Sequence, residues 1–168
     1  MTTARRGSPR VALWAWALYD LANTTFSLNV VSRYLPLVIV EDLGGRDLDV
    51  SLAYSGAMVL VALAAPLLGA LSDFSGRRIP YLTATTVLCV TATALMGLGW
   101  SMGPVLVLFA IATFFYQSAL VFYDALLANV SDESTRGRAS ALGVGLGYGG
   151  TIISLYSVAP IAERWGKS

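Results

Sequence analysis

Histidine is absent from this 168-residue chain, and cysteine occurs once, at Cys89. Without histidine there is no imidazole to change charge near neutral pH, relay protons or hold a metal. One cysteine excludes an internal disulfide and a thiolate cluster for zinc, so no metal site is expected. Cys89 lies in an apolar stretch and reads as a small buried residue. Charge is scarce as well: Asp, Glu, Lys and Arg make up 12% of the residues, against about 25% in soluble domains. A net charge of +1 leaves no electrostatic footprint for nucleic acid. There is no Ser–His arrangement, no HExxH and no glycine-rich phosphate loop between a strand and a helix. No catalytic residue and no cofactor is therefore expected, and the chain does not read as an enzyme. Two membrane carboxylates also occur in intramembrane aspartyl proteases, but the residues around Asp20 and Asp124 do not fit that chemistry.

Apolar residues fill the space that charge leaves: 56% of the chain is hydrophobic, with a mean hydropathy of +0.67. A chain with so few polar groups reads as an integral membrane protein. A helix needs roughly 20 mostly apolar residues to cross the hydrocarbon. Five stretches qualify, near 12–40, 52–73, 80–101, 104–128 and 139–161. The joints "EDLGGRDLD", "SGRRIP", "SMGP" and "SDESTRGR" carry the glycine, proline or charge that ends a span. The runs are too long, and alternate too little, for a β-barrel. Residues 1–10, "MTTARRGSPR", read as a disordered basic cytoplasmic tail, not as a signal peptide, because no small-residue cleavage site follows.

Basic residues set the orientation. With the N-terminus in the cytoplasm, the inner segments hold Arg5, Arg6, Arg10, Arg77, Arg78, Arg136 and Arg138, against Arg46, Arg164 and Lys167 outside. The expected topology is N-in, in the plasma (inner) membrane if the chain is bacterial. The partial bundle then occupies residues 11–168 and leaves the C-terminus outside.

"GALSDFSGRR", residues 69–78, falls on the turn from the second span into the third. Gly69 allows close approach of another helix, Gly76 permits the reversal, and Arg77 and Arg78 anchor the cytoplasmic side. Asp73 and Arg77, four residues apart, can pair if the helix persists that far. An acid at a helix C-terminus opposes the dipole, so a plain positive-inside turn does not account for Asp73.

This stretch resembles the loop between helices two and three of the major facilitator superfamily, Gly-x-Leu-x-Asp-x-x-Gly-Arg-Arg/Lys, at Gly69, Leu71, Asp73, Gly76, Arg77 and Arg78. Phe74 departs from it, where an arginine is common. "WALYDLANTTFS" (Tyr19, Asp20, Ala22, Asn23) and "YDALLANVSDESTRGRASALGVGLGYGG" resemble one branch, the vacuole effluxer-like family related to autophagy-linked amino-acid exporters. The second stretch carries Tyr123, Asp124, Ala125, Leu126, Arg136, Gly137, Arg138 and the glycines from Gly143 to Gly150. The resemblance implies an all-α membrane protein: five transmembrane helices of an incomplete N-terminal six-helix half. It implies a secondary transporter of small polar solutes, amino-acid efflux included, working by alternating access. The implied partners are the lipid bilayer, the solute, protons and a missing C-terminal half; no nucleic acid is among them. The chain is expected to be an N-terminal fragment. It further implies a cytoplasmic latch of Asp73 with Arg77 and Arg78, joined by Glu133, Arg136 and Arg138 on the loop after span four. The Gly-Pro ending of the drug-exporter version of span five is absent, because Thr151 follows Gly150.

An acid inside a span is costly and marks a functional candidate. Asp20, Asn23 and Ser27 share one helical stripe of span one, with Tyr19 beside it; Gln117 and Asp124 share one of span four, with Tyr116 and Tyr123 on the next. Helices one and four line the central cavity in the superfamily, so these stripes form the expected solute or ion pathway. A carboxylate there loads a proton near neutral pH; the other reading pairs both acids with cytoplasmic arginines. Arg33, late in span one, either binds an anionic group or snorkels to the interface, with Asn29 as its neighbour. Pro36 is expected to kink the outer end of this span. In span five, the pairs Gly143/Gly147 and Gly145/Gly149 have the spacing of close helix packing. The competing function is a five-span scaffold or assembly subunit that uses this glycine-rich face.

Overall fold

The computed structural model describes residues 9–99 and 101–165, with side chains up to Ser157. Residues 1–8 of the expected basic tail lie outside the described residues. Every element among the described residues is helical. Helix α1 runs Pro9–Phe26 and continues as a π-wound segment, Ser27–Arg33. The short α2, Tyr34–Leu37, and a second π-wound segment, Val38–Asp42, complete the first long rod. Four longer helices follow: α3 Asp47–Ser75, α4 Arg78–Met96, α5 Met102–Val130 and α6 Arg136–Trp165.

Pro36, which has no N–H to return to the carbonyl four residues back, lies in the short α2 between the two π-wound segments, whereas Pro66 sits inside α3 without a change of winding. Pro80 and Pro104 cause no break either. Each sits in the first turn of α4 or α5, where an N–H has no intrahelical acceptor. Helix α4 stops at Met96, before the expected end of that span near 101. The chain turns there through Gly97 and Gly99, the latter with φ 78°, a conformation glycine adopts without strain.

By length and composition α3, α4 and α5 each suffice to cross a bilayer. Leu63, Leu67, Val59 and Ile79 are exposed along α3 and α4, as expected of side chains that face lipid. The first rod and α6 carry carboxylate, amide and glycine within their apolar stretches, so apolarity marks them less strongly.

The chain resolves into two compact units. One comprises the residues up to Val30 together with those from Leu126 onward; the other is Val31–Ala125. In the second unit Ile39, Val50, Val105 and Phe109 form a buried core, with Leu35, Tyr54, Met96 and Met102 packed around it. Gly45 fits where a side chain would not: a Cβ there would stand 2.8 Å from Ile39 Cγ2 and 2.9 Å from Met102 Sδ. Its N–H donates to the Ile39 carbonyl at 2.8 Å. The start of α4 meets the later part of α5, with Tyr81 stacked on Phe122 at 5.4 Å between centroids.

In the first unit α1 lies along α6. Asp20 and Thr24 stand over Gly147, Leu21 and Thr25 over Gly150, and Asn29 bonds to Ser154. Residue numbers rise together on both helices, so the two are parallel. Parallel neighbours are what a first and a fifth crossing make when crossings alternate in direction.

Candidate functional site

The seam between α1 and α6 holds Asp20, Thr24, Thr25 and Asn29 of the first span. Asp20 is half-buried. A Cβ on Gly147 would stand 3.0 Å from its Oδ2 and 2.7 Å from Thr24 Oγ1. One turn further, a Cβ on Gly150 would meet Leu21 Cγ at 2.7 Å, and the Leu21 carbonyl oxygen and Thr25 Oγ1 both at 3.1 Å. The missing side chains of α6 are the room into which α1 packs.

Polar groups of the seam are mostly satisfied within it. Thr25 donates its hydroxyl to the Leu21 carbonyl at 2.8 Å. Asn29 donates its amide to the Thr25 carbonyl at 2.7 Å and to Ser154 Oγ across the seam. Asn29 Oδ1 is buried without a hydrogen-bond partner among the described residues, a condition that costs about 1–3 kcal/mol. The amide thus ties the first rod to α6.

Three glycines of α6 are buried along one face. Gly143, Gly147 and Gly150 are buried with Ser154, a 4-3-4 spacing that follows one helical stripe. At Gly145 and Gly149 an added Cβ would meet nothing within 4 Å. That pair faces away from α1. Sequence reasoning does not single out Gly150, Thr24, Thr25 and Ser154 as partners in this contact. The signal that finds them is the run of small residues at alternating four- and three-residue steps.

Tyr19, Asn23 and Ser27 are half-buried on the same rod. Ser27 opens the π-wound segment, so counting at α spacing from Asp20 no longer locates side chains beyond Phe26. Arg33, at the end of that segment, is exposed, and its guanidinium lies 5.5 Å from the centroid of the Tyr34 ring, a cation–π contact. On α5, Tyr123 is buried, Gln117 half-buried and Asp124 exposed.

The α3–α4 turn closes as its sequence dictates, with one exchange of partner. Gly76 takes the left-handed C-cap conformation at φ 63°. Helix α3 ends at Ser75 and Arg77 is extended at φ −124°, so the helical register that would bring Arg77 over Asp73 is lost. Asp73 pairs instead with Arg78, Oδ1 to Nη2 at 2.7 Å. The same guanidinium donates through Nη1 to the Ala125 carbonyl of α5 at 2.7 Å. An exposed carboxylate and a backbone carbonyl are thus joined through one planar fork. A Cβ added at Gly69 would meet nothing within 4 Å, so no close helix approach occurs there among the described residues. Phe74, in the position where the motif resemblance shows an arginine, is almost fully exposed. On the loop before α6, Glu133, Arg136 and Arg138 are exposed. Asp132 closes that loop by accepting the Arg136 N–H on its carbonyl at 2.8 Å.

Comparison with known proteins agrees with this architecture. Residues 21–166 match the Major Facilitator Superfamily. A Bacillus subtilis (strain 168) protein described as the uncharacterized MFS-type transporter YxiO is 30% identical over 159 residues, which cover 88% of this chain and 37% of that protein. An uncharacterized protein of Aquifex aeolicus (strain VF5) is 34% identical over 149 residues, covering 86% of this chain and 37% of its own length. The chain therefore spans little more than a third of these curated relatives. No solved structure matches it. The family match covers most of the chain, the helices are apolar and of membrane-spanning length, and the α3–α4 turn carries the motif; the chain is an integral membrane protein that belongs to the Major Facilitator Superfamily.

Proposed function

We propose that this chain forms part of a secondary active transporter of the vacuole effluxer-like branch, which exports small polar solutes of the amino-acid class by alternating access and is coupled to protons. One observation carries the reading: a carboxylate, Asp20, is half-buried in a glycine-lined seam within an apolar rod. Keeping an acid there is costly unless its charge is used. A scaffold needs close helix packing but has no need of a carboxylate inside the contact, and a relative is described as an MFS-type transporter.

In this proposal Tyr19, Asp20, Asn23 and Ser27 from the first rod and Gln117, Tyr123 and Asp124 from α5 line the solute or proton pathway. Arg33 meets an anionic group of the solute near the outer side. Asp73, Arg77 and Arg78, with Glu133, Arg136 and Arg138, form a cytoplasmic latch, and Gly69 and Gly76 shape its turn. The latch is made in one state and broken in the other. Exposed pairs of this kind contribute only about 0–1 kcal/mol, which suits a switch better than a strut. The N-terminus is cytoplasmic, in the plasma membrane of a bacterial cell, and the transporting unit includes the further chain that the relatives possess.

The test uses the full-length protein in proteoliposomes, with labelled amino acids and an imposed pH gradient. Asp20→Asn keeps the shape and removes the titration. It is expected to abolish pH-driven movement while leaving exchange without a gradient. Gradient-driven transport by Asp20→Asn at the parental rate would end the proton reading, and no movement of any amino acid by the parent would end the solute reading.

A further inference from the structure

We infer that Gly147 of α6 is a positioning residue for the Asp20 carboxylate, and is more than a point of close helix approach. The inference rests on the reading of Asp20 as the proton carrier.

Two glycines on one face of α6 meet different parts of α1. At Gly150 the obstruction to a side chain includes the Leu21 carbonyl oxygen, 3.1 Å from an added Cβ. Backbone cannot step aside without moving the helix, so Gly150 sets the distance between the rods. At Gly147 the obstructing atoms are the ends of two side chains, Thr24 Oγ1 at 2.7 Å and Asp20 Oδ2 at 3.0 Å. Thr24 Cβ, fixed to the α1 backbone, stands 3.5 Å from the same point, in ordinary contact. The gap left by the absent side chain is occupied by the oxygens of Thr24 and Asp20. A methyl group at 147 therefore competes directly with a hydroxyl and a carboxylate for that space.

The surroundings make that competition consequential. On α6 between Ala139 and Ser157 the titratable side chains are Tyr148 and Tyr156, both exposed, and Arg136 and Arg138 at the helix start are exposed too. On α1 the other titratable groups are Arg10, exposed, and Tyr19, half-buried. Gly147 and the Thr24 hydroxyl lie beside the carboxylate on the α6 side. Gly145, two residues away and open to space, supplies a control with the same change in helix propensity.

The experiment uses the full-length protein in lipid nanodiscs and proteoliposomes, with Gly147→Ala, Gly145→Ala, Asp20→Ala and the double variant Asp20→Ala/Gly147→Ala. Gly147→Ala is expected to lower gradient-driven transport by about tenfold, as misplaced reacting groups do, and to change the pH profile of the residual rate. Gly145→Ala changes neither. In thermal unfolding, the loss of Tm caused by Gly147→Ala shrinks by half or more when Asp20 is already trimmed to alanine, because the two side chains compete for one space. Additive Tm losses, or a Gly147→Ala pH profile that overlays the parent's, overturn the inference. The unfolding cycle reads shape alone, whereas Asp20→Asn reads charge. A coupled cycle beside a pH-insensitive Asp20→Asn would sink the proton reading and leave the seat intact; an uncoupled cycle beside a pH-dead Asp20→Asn would do the reverse.

Discussion

The two compact units cohere internally by opposite means. In Val31–Ala125 large apolar side chains interlock around Phe109 and Ile39, and Arg78 ties the start of α4 to the α5 backbone. In the other unit α1 and α6 touch through glycines, hydroxyls, one amide and Leu21. Apolar interlock resists sliding, because every displaced side chain opens a void or a clash. A glycine-lined seam has fewer such teeth and keeps polar atoms in its contact. The comparison teaches that the half-buried carboxylate of the first rod sits in the contact with the shallower relief.

That contrast predicts a graded series of variants, read as thermal unfolding of the full-length protein in nanodiscs. Phe109→Ala should give the largest loss, about 3–5 kcal/mol by the usual cost of emptying an aromatic site; a loss near zero would show that the apolar unit does not depend on its core. Gly150→Ala should cost about 1–3 kcal/mol, since overpacking forces α1 back from α6, while Gly145→Ala should cost nothing. Equal effects at 145 and 150 would erase the distinction between the two faces of α6. Arg78→Lys should lose about 1 kcal/mol, most of it from the Ala125 carbonyl, because an ammonium lacks the planar fork whose two nitrogens hold the two acceptors and Asp73 is largely exposed. Arg77→Lys should be silent in the same assay. Smallest of all is Arg46→Ala. Its fork pairs with Asp49 at 3.1 Å at the start of α3, yet the pair is so exposed that no change in Tm is expected.

Much of the turn chemistry is open to reading from the residues. "SGRR" demands a left-handed glycine, and Gly76 takes that conformation. What escapes is the partner of Asp73. Counting four residues onward assumes a helix, and the helix has ended by then, so the fifth residue makes the pair. The glycines of α6 are ambiguous for a related reason. Four-residue spacing fits Gly143/Gly147 and Gly145/Gly149 equally well, and only the side chains of α1 choose between the two faces. Thr24, Thr25 and Ser154 are invisible for want of charge. Pro36 signals an irregularity at the outer end of the first rod, but not the π winding from Ser27 to Asp42 around a short α-helical interlude. Asp20 stands out because an acid in an apolar run is rare, whereas its seat on α6 lies far away in the sequence.

That separation matters for how the molecule is made. Asn29 and Ser154 meet across 125 residues of chain, and the parallel seam cannot close until the intervening helices have been synthesised. At ~5–20 residues per second on the ribosome, the first rod waits on the order of ten seconds before its companions on α6 emerge. During that interval a carboxylate and an amide must be sheltered by the insertion machinery or lie close to the aqueous boundary. Newborn chains caught before α6 emerges should therefore be the stage at which this protein is most exposed to quality-control proteolysis.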